Sequence, residues 1–410
     1  MSENRQMQLN EKGFWPKIIL LAVLLLIFIL GNIKWAGKEY LGFKEYLPRY
    51  PIEEYPPKVL MYSAMTPEYL KATAGFWSKK VGLSGFIITT LPSDWYHAPQ
   101  ELAAHYKSMQ KINELCRQNG IDSNFIKIAL GHRRLPDYFN EREWKKVLVQ
   151  IRNVAQFAKR TGFRGIALDT ESYSGLLWNS ANQPLAKYPR KKLKGKIYQR
   201  GRQIMQQIVA VFPEAEIFVF PVGHLYAYTK KQPSKYELWI DFFNGLASVE
   251  NKQGIVLGSE RTYHVYRKNK LLHYYFDEIK GPIIGDNINN PRFWYEKCSV
   301  ALGAWPLGKT YKDKKAWYNS LFFNRQLRTM EMTCPKYVWI YAHGSAWWQE
   351  KDIEKYNLHS ESALPTVKNI EKYYKVVRKS KEPALKKYFY AVKHGRVPSL
   401  LEIIIGNLGF

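Results

Sequence analysis

Two carboxylates end one of the most apolar stretches of the chain. Residues 162–175 read GFRGIALDTESYSG, and the apolar run GIAL is followed by Asp169 and Glu171. Because side chains alternate between the two faces of a strand, residues i and i+2 point the same way. Two carboxyl groups in one desolvated space repel each other, which raises the pKa of one of them. A protonated carboxyl beside an ionised one is the pair that cleaves a glycosidic bond.

The same two residues have a purely structural interpretation. Asp169 would cap the next helix, and Glu171 would pair with a basic side chain. The arginines that could serve are Arg133, Arg134 and Arg261. Both interpretations stay open at the level of sequence.

The elements that must position these acids form a regular alternation. Eight short apolar runs are separated by longer amphipathic stretches that favour helices. The runs are KVLMYSA from Lys58, GFIITTL from Gly85, NFIKIAL from Asn124, GIALDTE from Gly165, EIFVFPV from Glu216, GIVLGSE from Gly254, SVALGAW from Ser299 and YVWIYAH from Tyr337. Near-continuous apolar strands covered by helices predict a parallel sheet.

Eight strand–helix units in succession predict an α/β protein of the (β/α)8 TIM barrel type, over residues 58–360. The competing architecture is a doubly wound open sheet, which usually has a glycine-rich phosphate turn after its first strand. The corresponding stretch, KVLMYSAMTPEYL, has no such turn.

Barrel enzymes place their sites at the carboxyl ends of the strands, so the residues that follow each run are the candidates. The fourth run supplies Asp169 and Glu171, and the sixth is followed by Glu260, a further catalytic candidate. Aromatic and hydrogen-bonding side chains suit a sugar, whose apolar ring face packs on an aromatic ring. The predicted substrate-binding residues are Tyr62, Trp95, Arg133, Tyr173, His224, Tyr226, Tyr263, Trp305, His343 and Trp347.

The fourth run resembles a motif of family-18 glycoside hydrolases, the chitinases and their relatives, which has the form D-G-x-D-x-D-x-E. The matching residues 164–171 read RGIALDTE. The last two acids correspond to Asp169 and Glu171, whereas Arg164 and Ala167 stand where that family has aspartates. The resemblance implies that Glu171 is the general acid and that Asp169 assists by orienting an acetamido group of the substrate.

No metal and no cofactor are predicted. The histidines His224, His264 and His343 could bind a metal, but none belongs to a closely spaced pair, and the three cysteines form no CxxC motif. A metal-dependent carbohydrate esterase stays as an alternative.

The formal net charge of +27 favours a polyanionic partner. The sequence has no nucleic-acid-binding module, so we expect no nucleic acid partner. The acid-free residues 187–202 would attract an anionic glycan or a lipid surface, or they form an ordinary solvated helix start.

The N-terminal residues carry one hydrophobic segment, PKIILLAVLLLIFILGNI, residues 16–33. With its flanks it approaches the ~20 residues that a membrane span requires. The alternative is a cleaved signal peptide, although no small-x-small cleavage site directly follows the apolar core. We therefore predict an N-terminal tail and transmembrane signal anchor (residues 1–35), a Tyr/Pro-rich linker (36–57), and a basic helical C-terminal extension (361–410). The protein would be a single-pass membrane protein with its barrel on the extracytoplasmic side.

These patterns together predict a membrane-anchored glycoside hydrolase that acts on a cell-surface or exported polysaccharide. The alternative from a different class is a non-catalytic barrel that binds glycan in a polysaccharide export or wall-assembly complex. Retaining, inverting and substrate-assisted mechanisms all remain open, because they depend on a carboxylate separation that a sequence does not give.

Overall fold

A computed structural model describes residues 19–27, 30, 56–131, 133, 135–173, 177–181, 185–221, 236–279, 281–307, 318–342, 347–356, 358 and 369–381. The chain divides into two compact units. One is Tyr50–Glu382, and the other combines Met1–Arg49 with Pro383–Phe410. The eight predicted runs and the helices predicted between them belong to the first of these units.

Eight parallel strands close into a barrel in sequence order, and the first strand pairs with the eighth. The strands are β1 Lys58–Ser63, β2 Gly85–Ile88, β3 Phe125–Ala129, β4 Gly165–Asp169, β5 Glu216–Phe220, β6 Ile255–Ser259, β7 Cys298–Ala304 and β8 Tyr337–Ala342. The predicted (β/α)8 barrel is thus confirmed, and each of the eight predicted runs contains or overlaps one strand.

The π-helical segments Phe76–Val81 and His273–Ile279 and a 3-10 turn, Leu185–Lys187, lie among the α-helices of the barrel unit. The α-helices lie between and after the strands. They are α1 Pro67–Gly75, α2 Pro99–Ala103, α3 Tyr106–Gln118, α4 Glu141–Thr161, α5 Arg190–Val211, α6 Trp239–Ala247, α7 Lys268–Leu272, α8 Pro282–Gly285, α9 Pro291–Lys297, α10 Ser320–Thr333, α11 Glu350–Lys355 and α12 Glu371–Lys379. Local sequence explains several starts. The side chains of Thr66, Asn140 and Asn319 accept hydrogen bonds from backbone N–H groups in the first turns of α1, α4 and α10.

The barrel interior is filled by side chains from all eight strands. Its buried cluster consists of Leu60, Ile87, Phe125, Ala167, Phe218, Phe220, Val256, Ala301, Tyr337 and Trp339. On β4, Ala167 belongs to this cluster, so the strand alternation also directs Asp169 toward the interior.

A buried carboxylate closes the N-terminal end of the barrel. Glu216, at the start of β5, is completely buried. Its Oε1 accepts a 2.5 Å hydrogen bond from Arg164 Nε and lies 3.4 Å from Lys336 Nζ, while its Oε2 accepts a 2.7 Å bond from the Tyr337 hydroxyl. Arg164 is therefore a structural partner at the end of the barrel opposite Asp169.

The prediction of an N-terminal transmembrane anchor is wrong. Residues 19–27 are helical, but no helix in the described part of the chain is long and apolar enough to cross a membrane. The bilayer core needs ~20 consecutive apolar residues in one helix. The predicted single-pass membrane location, with the barrel on the extracytoplasmic side, rested on that anchor and is wrong with it.

A helix from the predicted C-terminal extension packs on the barrel unit. The Arg328 guanidinium on α10 donates hydrogen bonds to the Val376 carbonyl at 2.6 Å and to the Ser380 hydroxyl at 3.2 Å. The Tyr373 hydroxyl donates to the Tyr318 carbonyl at 3.0 Å. Residues 382–410 lie outside the described part, so the rest of the predicted extension stays a prediction.

Candidate active site

Asp169 ends β4 with its side chain only 1% exposed. Its Oδ1 accepts a 3.0 Å hydrogen bond from the backbone N–H of Glu171, and its Oδ2 accepts a 3.0 Å bond from the Tyr173 hydroxyl. The chain turns back on itself so that residues 171 and 173 both hold the carboxylate. Both bonds favour the ionised form of Asp169, because each presents a donor to it.

Lys127 of β3 supplies a positive charge to the same carboxylate. Its Nζ lies 3.7 Å from Asp169 Oδ2 and 5.7 Å from the centre of the Tyr62 ring, and its side chain is 12% exposed. Sequence reasoning missed this residue. The signal was present, since a lysine in the middle of the apolar strand FIKIA shares the inward face of Phe125.

The pKa of Asp169 lies above its ordinary value. Burial is the main cause, because it disfavours the charged form. The Lys127 charge opposes it most strongly, followed by the Glu171 N–H and the Tyr173 hydroxyl. The negative charge of Asp94 raises the pKa further.

Asp94 follows β2 and ties it to the end of β3. Its Oδ1 accepts a 2.8 Å hydrogen bond from the Ala129 N–H, and its Oδ2 accepts a 3.1 Å bond from the Tyr96 hydroxyl. The Arg133 guanidinium lies over the Tyr96 ring at 4.1 Å from its centre. Arg133 therefore packs on the Tyr96 ring, next to the Asp94 carboxylate. This contact differs from the pairing with Glu171 that the structural interpretation expects.

Thr170 fixes the orientation of the two acids on either side of it. It is completely buried, and its hydroxyl donates to the Phe220 carbonyl at 3.0 Å and accepts a 2.7 Å bond from Trp239 Nε1. The Trp178 indole donates a 2.8 Å bond to the Thr170 carbonyl. Two buried indoles and a neighbouring strand thus anchor the residue between Asp169 and Glu171.

Glu171 lies half-buried where the chain leaves β4. Its carbonyl oxygen presses against Gly131 so closely that a Cβ there would lie 1.7 Å from it. The next residue, Ser172, donates its backbone N–H to the Tyr236 hydroxyl at 3.3 Å. A side chain at position 131 would therefore displace the backbone that carries Glu171.

Three carboxylates converge around the same tyrosines. Burial is the main cause that raises the pKa of the Tyr62 hydroxyl, and the charges of Asp169, Glu260 and Glu171 raise it further. The same three charges raise the pKa of Tyr236, again after burial. At the end of β6 the Glu260 carbonyl accepts the Tyr263 N–H at 3.1 Å, and Tyr263 stacks on Tyr341, which contacts Tyr62. Lys127 lies near both Tyr62 and Asp169, so the ends of β4 and β6 border one aromatic cleft.

Aromatic rings line this cleft. Tyr263 and Tyr341 are stacked with ring centres 5.5 Å apart, and Tyr341 also contacts Tyr62 at 5.3 Å and Trp305 at 5.1 Å. Trp339 lies beneath Tyr62 and Tyr263. The predicted residues Tyr62, Tyr263 and Trp305 are thus brought together, whereas Tyr341 and Tyr236 were not predicted.

Other predicted residues lie elsewhere. Trp347 is completely buried between α10 and α12, with ring contacts to Phe323, Tyr373 and Tyr374, so it does not face the cleft. Trp95 lines a separate cavity beside α4. The predicted residues that lie outside the described part of the chain are His224, Tyr226 and His343.

Within the described residues, no three His, Cys, Asp or Glu side chains are placed to hold a metal ion. Of the histidines considered for such a role, only His264 is described, and its ring packs on Trp305 at 5.4 Å between centres. The described site therefore offers carboxylates, hydroxyls, an ammonium group and aromatic faces.

Neither a protein-family model nor a curated protein matches this sequence. Solved structures similar to it include a GH18 chitinase from Pseudoalteromonas aurantia (11% identity, 73% of this chain and 99% of that chain, TM-score 0.44). Others are GH5_18 from Streptomyces cattleya in complex with GlcNAc (9%, 81% and 82%, TM-score 0.48) and a putative sugar phosphate isomerase/epimerase from Anabaena variabilis (12%, 79% and 98%, TM-score 0.44). These similarities concern the barrel fold, which hosts many chemistries.

Proposed function

We propose that this chain is a glycoside hydrolase that cleaves a polysaccharide at the carboxyl end of its barrel. The observation that carries the proposal is that Asp169 and Glu171 at the end of β4 and Glu260 after β6 lie at the same end of the parallel barrel, around the rings of Tyr62, Tyr263 and Tyr341. Aromatic faces beside the acids supply the stacking surface that a sugar ring needs.

Glu171 acts as the general acid. It lies at the open end of β4, where its carbonyl oxygen packs against Gly131 and the N–H of the next residue, Ser172, donates to the Tyr236 hydroxyl. In its protonated form it donates a proton to the glycosidic oxygen as the bond to the leaving sugar breaks. The bond electrons leave with that oxygen, and positive charge develops at the anomeric carbon.

Asp169 is the assisting carboxylate. Lys127, the Tyr173 hydroxyl and the Glu171 N–H all favour its ionised form against the effect of burial. An ionised group at this position stabilises the developing positive charge or orients the substrate group that attacks it. Glu260, across the cleft, is the remaining carboxylate that can position the attacking water.

The deciding experiment uses purified full-length protein and a panel of soluble polysaccharides, both neutral and uronic-acid-containing. Release of reducing ends is measured for the wild type, Glu171→Gln and the control Glu114→Gln. Glu114 is an exposed acid on α3, away from the cleft. We expect at least a 100-fold loss for Glu171→Gln, in line with the 10²–10⁴-fold contribution of general acid–base groups, and no change for the control.

Wild-type turnover in Glu171→Gln would overturn this assignment, as would the absence of product from every polysaccharide in the panel. A circular dichroism spectrum and melting temperature equal to those of the wild type show that the variant has folded. The assignment of Asp169 is tested in the same way with Asp169→Asn.

A second candidate is a non-catalytic barrel that binds glycan. It is favoured by Ala167, which stands in the barrel core where the resembled motif has an aspartate, and by the Lys127 ammonium that offsets the Asp169 charge. This candidate predicts glycan binding that Glu171→Gln leaves intact, with no product from either protein.

A further inference from the structure

A long groove runs along the outer face of α4, outside the cleft that holds the carboxylates. Two cavities, of about 710 and 420 Å³, both reach Pro99 at the start of α2. On α4 their lining extends from Arg142 to Arg160, which is about 27 Å at 1.5 Å per residue. The larger cavity is also lined by Trp95, Tyr96 and His97. We call the two cavities together the α4 groove.

Gln150 lies in the wall of this groove, and its buried side-chain amide is unpaired within the described ranges. Its side chain is only 3% exposed, yet neither its amide oxygen nor its amide nitrogen has a hydrogen-bond partner among the described residues. Buried amides are almost always paired, because an unpaired one loses its bonds to water without replacement. A bound molecule that both donates to and accepts from this amide would remove the defect.

Two further unpaired groups border the same cavity. The indole Nε1 of Trp95 and the Nδ1 of His97 are buried and also lack a partner in the described structure. Together with Gln150 they offer donors and acceptors next to aromatic ring faces. A sugar ring matches this combination, since it has an apolar face for stacking and neighbouring hydroxyl groups that both donate and accept.

The groove also carries a positive rim. Arg142, Lys145 and Lys146 line it, and all three are exposed. Glu143 pairs with Lys146 at 2.9 Å, while Arg142 and Lys145 make no ion pair with any described residue. Two cations of this kind favour a ligand that bears carboxylate groups.

We propose that the α4 groove is a second saccharide-binding site, which holds a uronic-acid-containing chain. Its sugar rings pack against Trp95 and His97, its hydroxyl groups pair with Gln150, and its carboxylates face Arg142 and Lys145. The groove starts at Trp95, directly after Asp94, whose Oδ1 accepts the N–H of Ala129, the β3 residue that pairs with Asp169 of β4. A chain bound in the groove therefore reaches the edge of the candidate active site.

The choice of a saccharide as ligand rests on the proposed function, but the test separates the two. Binding is measured by isothermal titration calorimetry at 0.15 M salt with full-length Glu171→Gln, so that no probe is consumed. The probes are hexasaccharides of galacturonic acid, of mannuronic acid and of hyaluronan, with cellohexaose and chitohexaose as neutral comparators.

The informative variant is Gln150→Leu in the Glu171→Gln background. Leucine fills a similar volume and changes no charge, and it removes the unpaired amide. We expect at least a 10-fold weaker affinity for the uronic acid probe that binds, together with a melting temperature that is unchanged or higher. A merely structural role of Gln150 would instead lower the melting temperature.

The contribution of the positive rim to ligand preference is tested with two double variants of α4. Arg142→Gln with Lys145→Gln should abolish the preference for the uronic acid probes over the neutral ones. The control, Arg152→Gln with Lys159→Gln, removes two exposed cations of α4 that do not line the groove and should keep that preference.

Unchanged affinity in Gln150→Leu overturns the proposal, as does the failure of all three uronic acid probes to bind. Gln150-dependent binding by a protein that releases no reducing ends supports the groove and counts against the proposed function. A protein that cleaves a polysaccharide but shows no Gln150-dependent binding supports the proposed function and counts against the groove.

Discussion

The hydrogen bond from Tyr173 to Asp169 offers a direct test of how the site works. Tyr173→Phe keeps the ring and removes only the hydroxyl that donates to Asp169 Oδ2 at 3.0 Å. That bond lowers the pKa of Asp169, against the larger effect of burial. Its removal raises the pKa further, so Asp169 takes up a proton at a higher pH than in the wild type.

The expected loss of activity follows from the strength of the hydrogen bond between the Tyr173 hydroxyl and the Asp169 carboxylate. A hydrogen bond to a charged group contributes about 1.5–3 kcal/mol, which corresponds to roughly 10- to 150-fold in an equilibrium or rate. Tyr173 is 50% exposed, so solvent replaces part of the bond and the lower end of this range applies. We expect about a 10-fold loss of kcat/KM on the acidic side of the pH profile.

The sign of the pH dependence distinguishes this mechanism from general damage. If catalysis needs ionised Asp169, the acid limb of kcat/KM moves to higher pH in Tyr173→Phe. Above that limb the two proteins converge, because Asp169 is ionised in both. The assay is reducing-end release across the pH range, on the polysaccharide that the wild type cleaves.

A matched control is available in the same protein. The Tyr188 hydroxyl donates at 2.5 Å to Oδ2 of Asp137, a carboxylate that is not one of the three proposed catalytic acids. Tyr188→Phe removes the same kind of bond and should leave the profile unchanged. A uniform loss across all pH values in Tyr173→Phe, or an acid limb in its wild-type position, would refute the reasoning about Asp169.

Three more substitutions test separate parts of the structure. Gly131→Ala should reduce activity and lower stability by about 1–3 kcal/mol, because its Cβ overlaps the Glu171 carbonyl; wild-type values for both kcat and the denaturation midpoint would contradict this. Lys127→Met should move the acid limb of activity to higher pH by raising the pKa of Asp169, whereas Lys127→Arg should not; equal pH profiles would exclude that role. Glu216→Ala should cost about 3–5 kcal/mol in urea denaturation, since it leaves buried partners unpaired, and a stability loss below 1 kcal/mol would contradict it.

The barrel could be predicted because its signals are local and repeated. The run GIAL is apolar at every position, and the strand GIALD is buried at every position, as a parallel strand covered on both faces requires. The alternation of strands and helices along the chain then allows few strand orders. The position of Asp169 as the last residue of its strand places it at the carboxyl end of the barrel. The ends of helix α4 also have local signals, since the Asn140 side chain caps its first turn and Gly162 follows its last with a positive φ.

The partners of the acids could not be predicted, because they come from distant parts of the chain. Lys127 reaches Asp169 from β3, and Tyr236 reaches Ser172 from residues that precede α6. Secondary-structure propensities and the periodicity of apolar residues describe local structure, so they contain no information on contacts between distant residues. Trp347 illustrates the opposite case. Its position after β8 suggested a substrate-binding residue, but its ring packs against Tyr374 of α12.

The N-terminal prediction was wrong for a different reason. An apolar stretch indicates burial in some apolar environment, and a membrane was only one of the options considered. No helix in the described part of the chain, residues 19–27 included, is long and apolar enough to span a bilayer. Composition gave the polarity of the segment, and polarity alone does not make a span.

The anchoring of Thr170 has a consequence for recognising distant relatives of this barrel. The acids on either side can be exchanged for other reactive side chains while the threonine and the two indoles of Trp178 and Trp239 keep the backbone in place. Such exchanges would erase the D-x-E pattern and preserve the trio. A homologue with altered chemistry is therefore better traced by a threonine after its fourth strand, with tryptophans at the two remote positions, than by the acids themselves.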